Sequence, residues 1–482
     1  NINKTASIDG TQIAAESTII NNGEGDLNID GSINYDNGSN NISFLDAGLT
    51  IENNNVVSGL NISETATINA ENTNHTYITN NGEKGMTISG KVINGHKSSE
   101  NFDSNLEITN TRGGLTIDGS IENRKGDLIV NNTGEYGLYL NGTIQNKEGN
   151  SDFYNENDGL YVNGTVTNSV GEMTFTNEGD KGLNIYSNVK NTGTKTSIIN
   201  KTGLLNIADS ALIENENDIL IDNSGNKGLL IAGTVNNNGN SEIINADDGA
   251  LTISGKYNNG KNFTAKNDGQ QGLMISGVVK NQNGNVELTN TKTSLTIDGT
   301  VENEQGNFKA VNSGHNGMKI NGTVNNKNGN SDYINENCIL TVNGTATNAG
   351  GTMNFDNSGV AIKVNETGVI NSDGILTMTN SGPNGINIAG MMNVQNGTAT
   401  ITNTGAKGIT VTSTGRITDT TDKIAINNNA AGGITVQGLI NGVGVDINNS
   451  NSDVVIGDTT ANENYITSNG DININIDNGN LY

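Results

Sequence analysis

The chain has 482 residues and a formal net charge of −26. This acidity argues against nucleic acid and anionic membrane surfaces as partners, because both are bound through clustered Lys and Arg. A single cysteine excludes a disulfide framework and zinc-finger spacing, and no segment approaches the roughly 20 apolar residues that span a bilayer. Hydrophobic residues make up only 32% of the chain, and Asn accounts for about one residue in five. Because only 16% of the residues are charged and Ile, Val and Leu recur at fixed intervals, we expect a repetitive fold rather than a disordered chain.

The first clear repeat starts at Gly114 and reads GLTIDGSIEN. It returns as GLYLNGTIQN from Gly137 and as GLYVNGTVTN from Gly159. Degenerate copies follow later in the chain and begin at Gly228, Gly249, Gly272, Gly317, Gly385 and Gly433. A period of about 22 residues is typical of solenoids and repeat arrays.

A further short apolar alternation lies between successive copies, as at Leu128 with Val130 and at Met173 with Phe175. Each repeat therefore predicts three short strands whose apolar side chains point to one face. No 3.6-residue apolar period persists over helical length.

We predict an all-β, right-handed parallel β-helix (a solenoid) that occupies residues 1–482 as a single continuous repeat domain, with three short strands in each of roughly twenty coils. Strands of successive coils would lie about 4.8 Å apart, which gives a rod on the order of 100 Å long. Two segments lengthen their coils, at residues 96–105 and 208–211, and we expect loop excursions there. Since the first residue is not Met and the last residues still follow the repeat pattern, we expect a processed part or a fragment of a longer exoprotein.

Asn recurs at one position of the repeat, at the end of the strand that follows the glycine corner. Asn tolerates the left-handed conformation of a tight corner, and stacked amides can hydrogen-bond as a ladder. The predicted structural ladder contains Asn94, Asn123, Asn146, Asn168, Asn191, Asn215, Asn237, Asn259, Asn281, Asn303, Asn326 and Asn348, continues through Asn371, Asn393 and Asn441, and has Asp419 substituting once.

A parallel column of glycines marks another corner, where φ is positive or where a side chain would clash. Its members are Gly119, Gly142, Gly164, Gly233, Gly255, Gly277, Gly299, Gly322, Gly344, Gly390 and Gly438.

Residues suited to catalysis are sparse. The three histidines, His75, His96 and His315, lie in different repeats, and neither a phosphate-binding Gly-rich motif nor a calcium-binding nonapeptide occurs. Acidic side chains that could bind calcium weakly, but that more simply keep the surface soluble, include Asp152, Glu156 and Asp158. We predict no enzymatic activity, no metal site and no cofactor.

Tyr139 and Tyr161 occupy equivalent outward-facing positions of adjacent repeats. Such a pair is expected from β-propensity and cross-coil packing alone, and it is also a candidate contact for a sugar or another ligand. Parallel β-helices include polysaccharide lyases and hydrolases, so a carbohydrate-active enzyme stays an alternative. No acid pair is anchored near the tyrosines at a repeated spacing.

Asn-Gly-Thr occurs at Asn141, Asn163, Asn321, Asn343 and Asn396, and these are candidate glycosylation sites. The simpler interpretation is that corners favour Asn-Gly and strands favour Thr, so that these two preferences alone produce the tripeptide Asn-Gly-Thr.

The GLxIxGxIxN coils and the intervening NxxGxxxxxN turns resemble the repeat regions of filamentous-haemagglutinin-like and high-molecular-weight adhesins. These are exoproteins of two-partner secretion, and the resemblance covers nearly the whole chain. It implies an outer-membrane secretion partner, a secreted or bacterial cell-surface location, and adhesion, biofilm formation or virulence. In some members it also implies glycosylation of Asn-x-Ser/Thr, for which the matching positions are Asn141, Asn163, Asn321, Asn343 and Asn396.

We therefore predict an adhesive rod that binds a host-cell surface or glycan, or another copy of itself, through many weak polar contacts. We expect no nucleic acid partner and no direct membrane insertion. The alternatives are a carbohydrate-active β-helix enzyme and a purely structural spacer of a surface filament.

Overall fold

The computed structural model describes residues 1–2, 7–10, 17–36, 48–71, 73–95, 104–457 and 465–482. Within these residues every regular element is a β-strand. The chain divides into two compact units, unit 1 (Asn1–Glu242) and unit 2 (Ile243–Tyr482). In each unit the strands form parallel sheets in which a strand pairs with its equivalent one coil away. The predicted fold class, an all-β parallel solenoid with three short strands per coil, is confirmed.

The strands of unit 1 are β1 (Ser7–Gly10), β2 (Ser17–Asn21), β3 (Leu27–Ile29), β4 (Ser32–Asp36), β5 (Gly48–Asn53), β6 (Leu60–Ile62), β7 (Thr67–Glu71), β8 (His75–Asn80), β9 (Met86–Ile88), β10 (Lys91–Asn94), β11 (Asn105–Asn110), β12 (Leu115–Ile117), β13 (Ser120–Asn123), β14 (Leu128–Asn132), β15 (Leu138–Leu140), β16 (Thr143–Asn146), β17 (Ser151–Asn155), β18 (Gly159–Val162), β19 (Thr165–Asn168), β20 (Glu172–Asn177), β21 (Gly182–Ile185), β22 (Asn188–Asn191), β23 (Lys195–Asn200), β24 (Leu205–Ile207), β25 (Leu212–Asn215), β26 (Asp218–Asn223), β27 (Leu229–Ile231) and β28 (Thr234–Asn237). The boundary between the units falls within β29 (Ser241–Asn245).

The strands of unit 2 are β30 (Leu251–Ile253), β31 (Lys256–Asn259), β32 (Phe263–Asn267), β33 (Leu273–Ile275), β34 (Val278–Asn281), β35 (Val286–Asn290), β36 (Ser294–Ile297), β37 (Thr300–Asn303), β38 (Phe308–Asn312), β39 (Gly317–Ile320), β40 (Thr323–Asn326), β41 (Ser331–Asn335), β42 (Ile339–Val342), β43 (Thr345–Asn348), β44 (Thr352–Asn357), β45 (Ala361–Val364), β46 (Val369–Asp373), β47 (Ile375–Asn380), β48 (Ile386–Ile388), β49 (Met391–Gln395), β50 (Ala399–Asn403), β51 (Ile409–Val411), β52 (Arg416–Asp419), β53 (Lys423–Asn428), β54 (Ile434–Val436), β55 (Leu439–Gly442), β56 (Gly444–Ser450), β57 (Val454–Ile456), β58 (Ile466–Ser468) and β59 (Ile472–Asp477).

Every third strand belongs to the same sheet. We name the sheet of β1, β4 and β7 sheet 1, that of β2, β5 and β8 sheet 2, and that of β3, β6 and β9 sheet 3, and the same names apply in unit 2. Corner 1 joins a sheet 1 strand to the following sheet 2 strand, corner 2 joins sheet 2 to sheet 3, and corner 3 joins sheet 3 to the sheet 1 strand of the next coil.

The strands bury alternate side chains, as the period of two in the sequence predicts. In β15, for example, Leu138 and Leu140 are fully buried while Tyr139 between them is half-buried. The strand register pairs similar residues of successive coils: Leu138 pairs with Leu160, and Tyr139 pairs with Tyr161. Large aromatic side chains also stack inside the core, with the rings of Phe153 and Phe175 4.9 Å apart. The core is therefore a set of apolar columns running through successive coils.

Corner 1 carries the asparagine ladder expected from the sequence over most of its length. Each side-chain Nδ2 donates to Oδ1 of the asparagine in the next coil, at intervals of 22 to 24 residues in the hydrogen bonds from Asn123 to Asn237. Donor–acceptor distances are 2.6–3.4 Å from Asn94 to Asn237 in unit 1. In unit 2 they are 2.7–2.9 Å from Asn259 to Asn348.

The expected continuation of this ladder beyond Asn348 is wrong. Asn348 pairs with Ser372, and Asn371 pairs with Thr347, so Asn371 lies on the outward face. The next coil repeats this shift, since Asn393 pairs with Asn371 and Ser372 with Val394. Asn441 likewise pairs with Thr418 rather than with Asp419. The inward column therefore runs from Asn348 through Ser372, Val394 and Asp419, a register that alignment on the neighbouring glycine does not reveal.

Corner 2 carries a second, more regular ladder that the sequence analysis missed. It connects the last buried asparagine of each sheet 2 strand to its equivalent in the next coil, with distances of 2.7–3.0 Å. In unit 1 it joins Asn21, Asn53, Asn80, Asn110, Asn132, Asn155, Asn177, Asn200 and Asn223. In unit 2 it joins Asn245, Asn267, Asn290, Asn312, Asn335, Asn357, Asn380, Asn403, Asn428 and Asn449.

The glycine column lies at corner 3, and steric exclusion explains it better than positive φ does. A Cβ on Gly142 would lie 1.8 Å from the carbonyl oxygen of Gly119, and one on Gly322 would lie 2.0 Å from that of Gly299. None of the column glycines has a positive φ, and most glycines that do are found at other corners, for example Gly149 at corner 1. These positions thus need glycine because the preceding coil approaches too closely there for a Cβ.

The two expected excursions have different outcomes. Residues 96–103 lie outside the described residues, and within the remainder Ser104 is buried and Asn105 begins β11. Residues 208–211 form a compact corner 3 in which Ala211 N–H donates to Ala208 O at 2.9 Å. The same bond closes a four-residue corner at Ser63–Ala66, so residues 208–211 are a recurring variant of the corner.

Candidate functional site

Tyr139 and Tyr161 form a stacked pair on the outward face of sheet 3 in unit 1. Their ring centroids are 4.8 Å apart and the ring planes differ by 7°. Since stacked atoms touch at about 3.5 Å, a centroid distance of 4.8 Å implies rings that are slipped by roughly 3 Å. Each ring therefore leaves its edge and part of its face uncovered, and both side chains are half-buried.

Gly159 determines where the ring of Tyr161 lies. An ideal Cβ on Gly159 would be 2.8 Å from both Cε2 and Oη of Tyr161, so the phenol is folded back along its own strand over this glycine. The absence of a side chain at position 159 provides the space for the ring. The hydroxyl of Tyr161 is thereby brought towards corner 2.

Corner 3 forms a groove on one side of the tyrosine pair. The three-residue strand β15 leads directly from Tyr139 into Asn141, and the following coil leads from Tyr161 into Asn163. The groove has a volume of about 700 Å³ and is lined by Glu64, Ser89, Gly90, Lys91, Asp118, Gly119, Ser120, Asn141, Gly142, Thr143, Asn163, Gly164, Thr165 and Ser187. Most of its lining consists of glycines and of small hydroxyl and amide side chains, with Glu64, Lys91 and Asp118 as the charged members.

The amides in this groove are ordered by hydrogen bonds along the coils. Nδ2 of Asn163 donates to Oδ1 of Asn141 at 2.7 Å, and Nδ2 of Asn141 donates to Oδ1 of Asp118 at 2.8 Å. The candidate glycosylation sites Asn141 and Asn163 are both exposed. They are thus neighbours of the tyrosine pair.

Corner 2 forms a second groove on the other side of the pair, with a volume of about 580 Å³. It is lined by Glu135, Tyr136, Glu156, Asn157, Asp158, Glu178, Gly179, Asp180, Lys181 and Thr202. Nζ of Lys181 lies 2.6 Å from Oδ1 of Asp158, and Lys201 pairs with Glu178. Of the acidic residues considered for calcium, Glu156 and Asp158 line this groove, whereas Asp152 is an outward residue of β17 on sheet 2.

Neighbouring groups act on the hydroxyl of Tyr161. Burial, the adjacent phenol of Tyr139 and the carboxylate of Asp158 raise the pKa of Tyr161, while the ammonium of Lys181 opposes them. A neutral phenol hydroxyl can both donate and accept hydrogen bonds.

Two further tyrosines near the pair were not singled out from the sequence. Tyr136 is 61% exposed in the corner 2 groove, and Tyr186 is 40% exposed one coil beyond Tyr161. The hydroxyl of Tyr186 lies 3.5 Å from Oδ1 of Asn184, the residue that pairs with Tyr161. The sequence signal was present as a cluster of tyrosines, but their grouping depends on the directions of the side chains.

The remaining candidate glycosylation sites lie in unit 2. Asn343 donates to Oδ1 of Asn321 at 2.6 Å and Asn321 to Asp298 at 2.7 Å, which reproduces at corner 3 the arrangement of Asn141 and Asn163. Asn396 belongs to a different corner, where it has a φ of 55° and donates to Oδ1 of Asp373 at 2.6 Å.

The described part of the chain was also compared with the requirements of a metal site and of a membrane span. Among the described residues no cluster of three or more His, Cys, Asp or Glu is placed to hold a metal ion. No helix in the described part of the chain has the length and apolar character needed to cross a bilayer. His75 packs beside Tyr77, with ring centroids 4.7 Å apart, and His315 is exposed in unit 2.

Comparison with protein-family models, with curated proteins and with solved structures finds no match for this chain. The fold and the site geometry therefore define its class, a parallel β-solenoid with a tyrosine pair between two polar grooves. The resemblance to two-partner-secretion adhesins stays a hypothesis drawn from the repeats.

Proposed function

We propose that this chain is an adhesive repeat segment of a secreted or bacterial cell-surface protein, and that it attaches by binding saccharides on the tyrosine face of unit 1. We define the tyrosine face as Tyr139, Tyr161 and the two flanking grooves. The observation that carries the proposal is the stacked, half-exposed pair at a centroid distance of 4.8 Å, placed between a corner 3 groove rich in amides and hydroxyls and a corner 2 groove rich in carboxylates. Aromatic edges beside convergent polar groups are the surfaces that suit sugars.

The corner 3 groove suits an extended chain better than a compact ligand. Its lining residues come from six successive coils, from Glu64 to Ser187, and five steps of about 4.8 Å give a length of roughly 24 Å. Each coil offers similar small polar groups to whatever lies along it. A polymer with repeating hydroxyl groups would make several equivalent weak contacts, which add through effective concentration.

Two of the carboxylates beside the tyrosines are engaged in ion pairs, which disfavours them as catalytic groups. Glycoside hydrolysis uses a pair of carboxyl groups that flank the scissile bond, one as acid and one as base or nucleophile. Asp158 and Glu178 are instead each paired with a lysine, Lys181 and Lys201. A non-enzymatic role is therefore part of the proposal.

A structural spacer is the second candidate, and the two asparagine ladders favour it. In each unit they hold successive coils together with buried side-chain hydrogen bonds, as a scaffold that displays other binding parts would require. The proposal also includes self-association between copies, a surface location and an outer-membrane secretion partner. These three features rest on the resemblance of the repeats.

The proposal is tested by titrating the full chain with a panel of neutral and acidic oligosaccharides and measuring binding by calorimetry. The variant Tyr139→Ala/Tyr161→Ala removes the pair, and Tyr77→Ala is the matched control, because Tyr77 is 38% exposed on another sheet of the same unit. We expect at least tenfold weaker binding for the double variant and unchanged binding for the control. Equal binding by all three proteins, or none by the unmodified chain, would overturn the proposal.

A further inference from the structure

A pocket lies beside the end of the corner 1 ladder in unit 2. Ser372 replaces asparagine in the coil after Asn348, and Val394 occupies the same inward column in the next coil. Neither side chain can continue the ladder, since one is short and the other is apolar. A cavity of about 180 Å³ lies at this corner, lined by Thr347, Asn348, Ala349, Asn371, Ser372, Asp373, Asn393 and Gln395.

The polar side chains of this pocket are held in place by one another. Nδ2 of Asn393 donates to Oδ1 of Asn371 at 2.9 Å, and Nδ2 of Asn371 donates to Oγ1 of Thr347 at 3.4 Å. Oδ1 of Asp373 accepts from Asn396 at 2.6 Å, and Asp373 is in register with Gln395 of the next coil.

These bonds leave hydrogen-bonding capacity on residues that line the pocket. Asn393 retains one N–H and its carbonyl oxygen, Asp373 retains Oδ2, and Gln395 is exposed with its whole amide unused among the described contacts. The lining residues thus include both donors and acceptors.

The size and chemistry of the pocket select one class of ligand. At about 30 Å³ per water its volume corresponds to about six waters, and it is smaller than the roughly 300 Å³ at which drug-sized pockets begin. A divalent cation would need six or more oxygen ligands, whereas only one carboxylate and several N–H donors line the cavity. An anion would be repelled by Asp373, and an apolar group would leave the amides without partners.

We propose that this pocket, which we call the ladder-end pocket, binds a single neutral pyranose ring. A sugar hydroxyl both donates and accepts, so vicinal hydroxyls would donate to Oδ2 of Asp373 and exchange hydrogen bonds with the amides of Asn393 and Gln395. The site is in unit 2 and does not use the tyrosine face, but it rests on the same proposed class of ligand. With few contacts we expect a Kd of about 1 mM, which becomes useful only when several sites act together.

The experiment is ligand-observed NMR on the full chain, with methyl hexosides of glucose, galactose, mannose and N-acetylglucosamine as probes. Gln395→Ala and Asp373→Asn remove ligand contacts. Gln282→Ala is the matched control, because Gln282 is an exposed amide at corner 1 of the same unit. We expect saturation transfer to at least one hexoside, a fall of at least fivefold in both pocket variants, and no change in the control.

Two outcomes would overturn the inference: no transfer to any hexoside, or equal transfer to the unmodified chain and Gln395→Ala, whose exposed side chain can be truncated without disturbing the core. The variant Tyr139→Ala/Tyr161→Ala separates the two proposals. Hexoside binding that persists in this variant supports the ladder-end pocket even if the tyrosine face binds nothing. If hexoside binding disappears in this variant, the signal comes from the tyrosine face, and the proposal that the ladder-end pocket binds a sugar is refuted.

Discussion

Asn155 donates a hydrogen bond from Nδ2 to Oδ1 of Asn177 at 2.8 Å, and both side chains are fully buried. Its other N–H is donated to the backbone oxygen of Asn157, and its own Oδ1 accepts from Asn132 at 2.8 Å. One amide therefore satisfies a buried donor, a buried acceptor and a backbone acceptor of the corner, which explains why the corner 2 column contains asparagine in coil after coil.

Truncation of this ladder is expected to destabilise unit 1. Asn155→Ala leaves the donor of Asn132 and the acceptor of Asn177 without partners inside the protein, and each such group costs about 1–3 kcal/mol. We expect a loss of about 2–4 kcal/mol in the free energy of unfolding, measured by urea titration. The exposed neighbour Asn157 is the control, and Asn157→Ala should change the free energy by less than about 0.5 kcal/mol. Equal effects of the two substitutions would show that the ladder contributes no special stability.

Asp419 is the irregular member of the corner 1 column, and Asp419→Asn is expected to stabilise unit 2. Its carboxylate is 2% exposed. Oδ1 accepts from the backbone N–H groups of Thr421 and Asp422, at 3.1 and 3.0 Å, while Oδ2 has no partner among the described residues. Asparagine keeps the accepting oxygen and replaces the unpartnered one with an amide that can donate to nearby carbonyls. We expect a gain of about 1–2 kcal/mol in urea unfolding, and a loss of stability would contradict this account.

Tyr333 lies fully buried between two phenylalanines, with its ring 4.5 Å from Phe355 and 5.3 Å from Phe308. Its hydroxyl has no hydrogen-bond partner among the described residues. Tyr333→Phe preserves the stacked ring and removes the unpaired group, so we expect a gain of about 1–2 kcal/mol at neutral pH. Tyr35→Phe is the control, because the buried Tyr35 bonds to Ser17 and its loss should destabilise.

The same tyrosine predicts a dependence of stability on alkaline pH. Burial raises the pKa of Tyr333 above its ordinary value of 10.0, so the phenol stays neutral in the folded chain while it ionises in the unfolded chain. Below pH 10 this titration leaves the free energy of unfolding unchanged. As the pH rises further, the free energy of unfolding falls, because the phenol loses its proton in the unfolded chain but keeps it in the folded chain. Unfolding curves between pH 9 and pH 11 should therefore fall less steeply for Tyr333→Phe than for the unmodified chain. Parallel curves would refute the assignment.

Gly159→Ala is expected to displace the ring of Tyr161 with little effect on folding. The three heavy atoms nearest to the new Cβ all belong to the far end of the Tyr161 side chain, which can rotate away. We expect a changed ring-proton chemical shift for Tyr139, which loses its stacking partner, and weaker saccharide binding. Gly25→Ala is the control, because no heavy atom lies within 4 Å of a Cβ at that position. An unaltered Tyr139 resonance would mean that Gly159 does not position the ring.

The repeat predicted the fold well because the apolar residues show both of its periods directly. They alternate with a period of two within each strand, and equivalent strands recur about every 22 residues. The corner 2 ladder was missed although its members, such as Asn132 and Asn155, recur at the same interval, since the copies were aligned on the glycine of corner 3. The shift at Asn371 was also hidden, because Asn371 and Ser372 are adjacent and only the strand register shows which one points inward.

The candidate site was predictable only in part. The outward position of Tyr139 and Tyr161 follows from alternation with buried leucines, but the grooves on either side depend on the shapes of two corners. The pairing of Lys181 with Asp158 and the placement of Tyr161 over Gly159 depend on the directions of long side chains, which spacing in the sequence does not determine.

We propose that the tyrosine face attaches the chain to saccharides on a surface. To measure this, the full chain is coupled to beads, and the beads retained on epithelial cells are counted before and after enzymatic removal of cell-surface glycans. We expect retention of beads with the unmodified chain and with Tyr77→Ala. We expect loss of retention for Tyr139→Ala/Tyr161→Ala and after removal of glycans. Retention that is the same for all proteins and unaffected by glycan removal would contradict it.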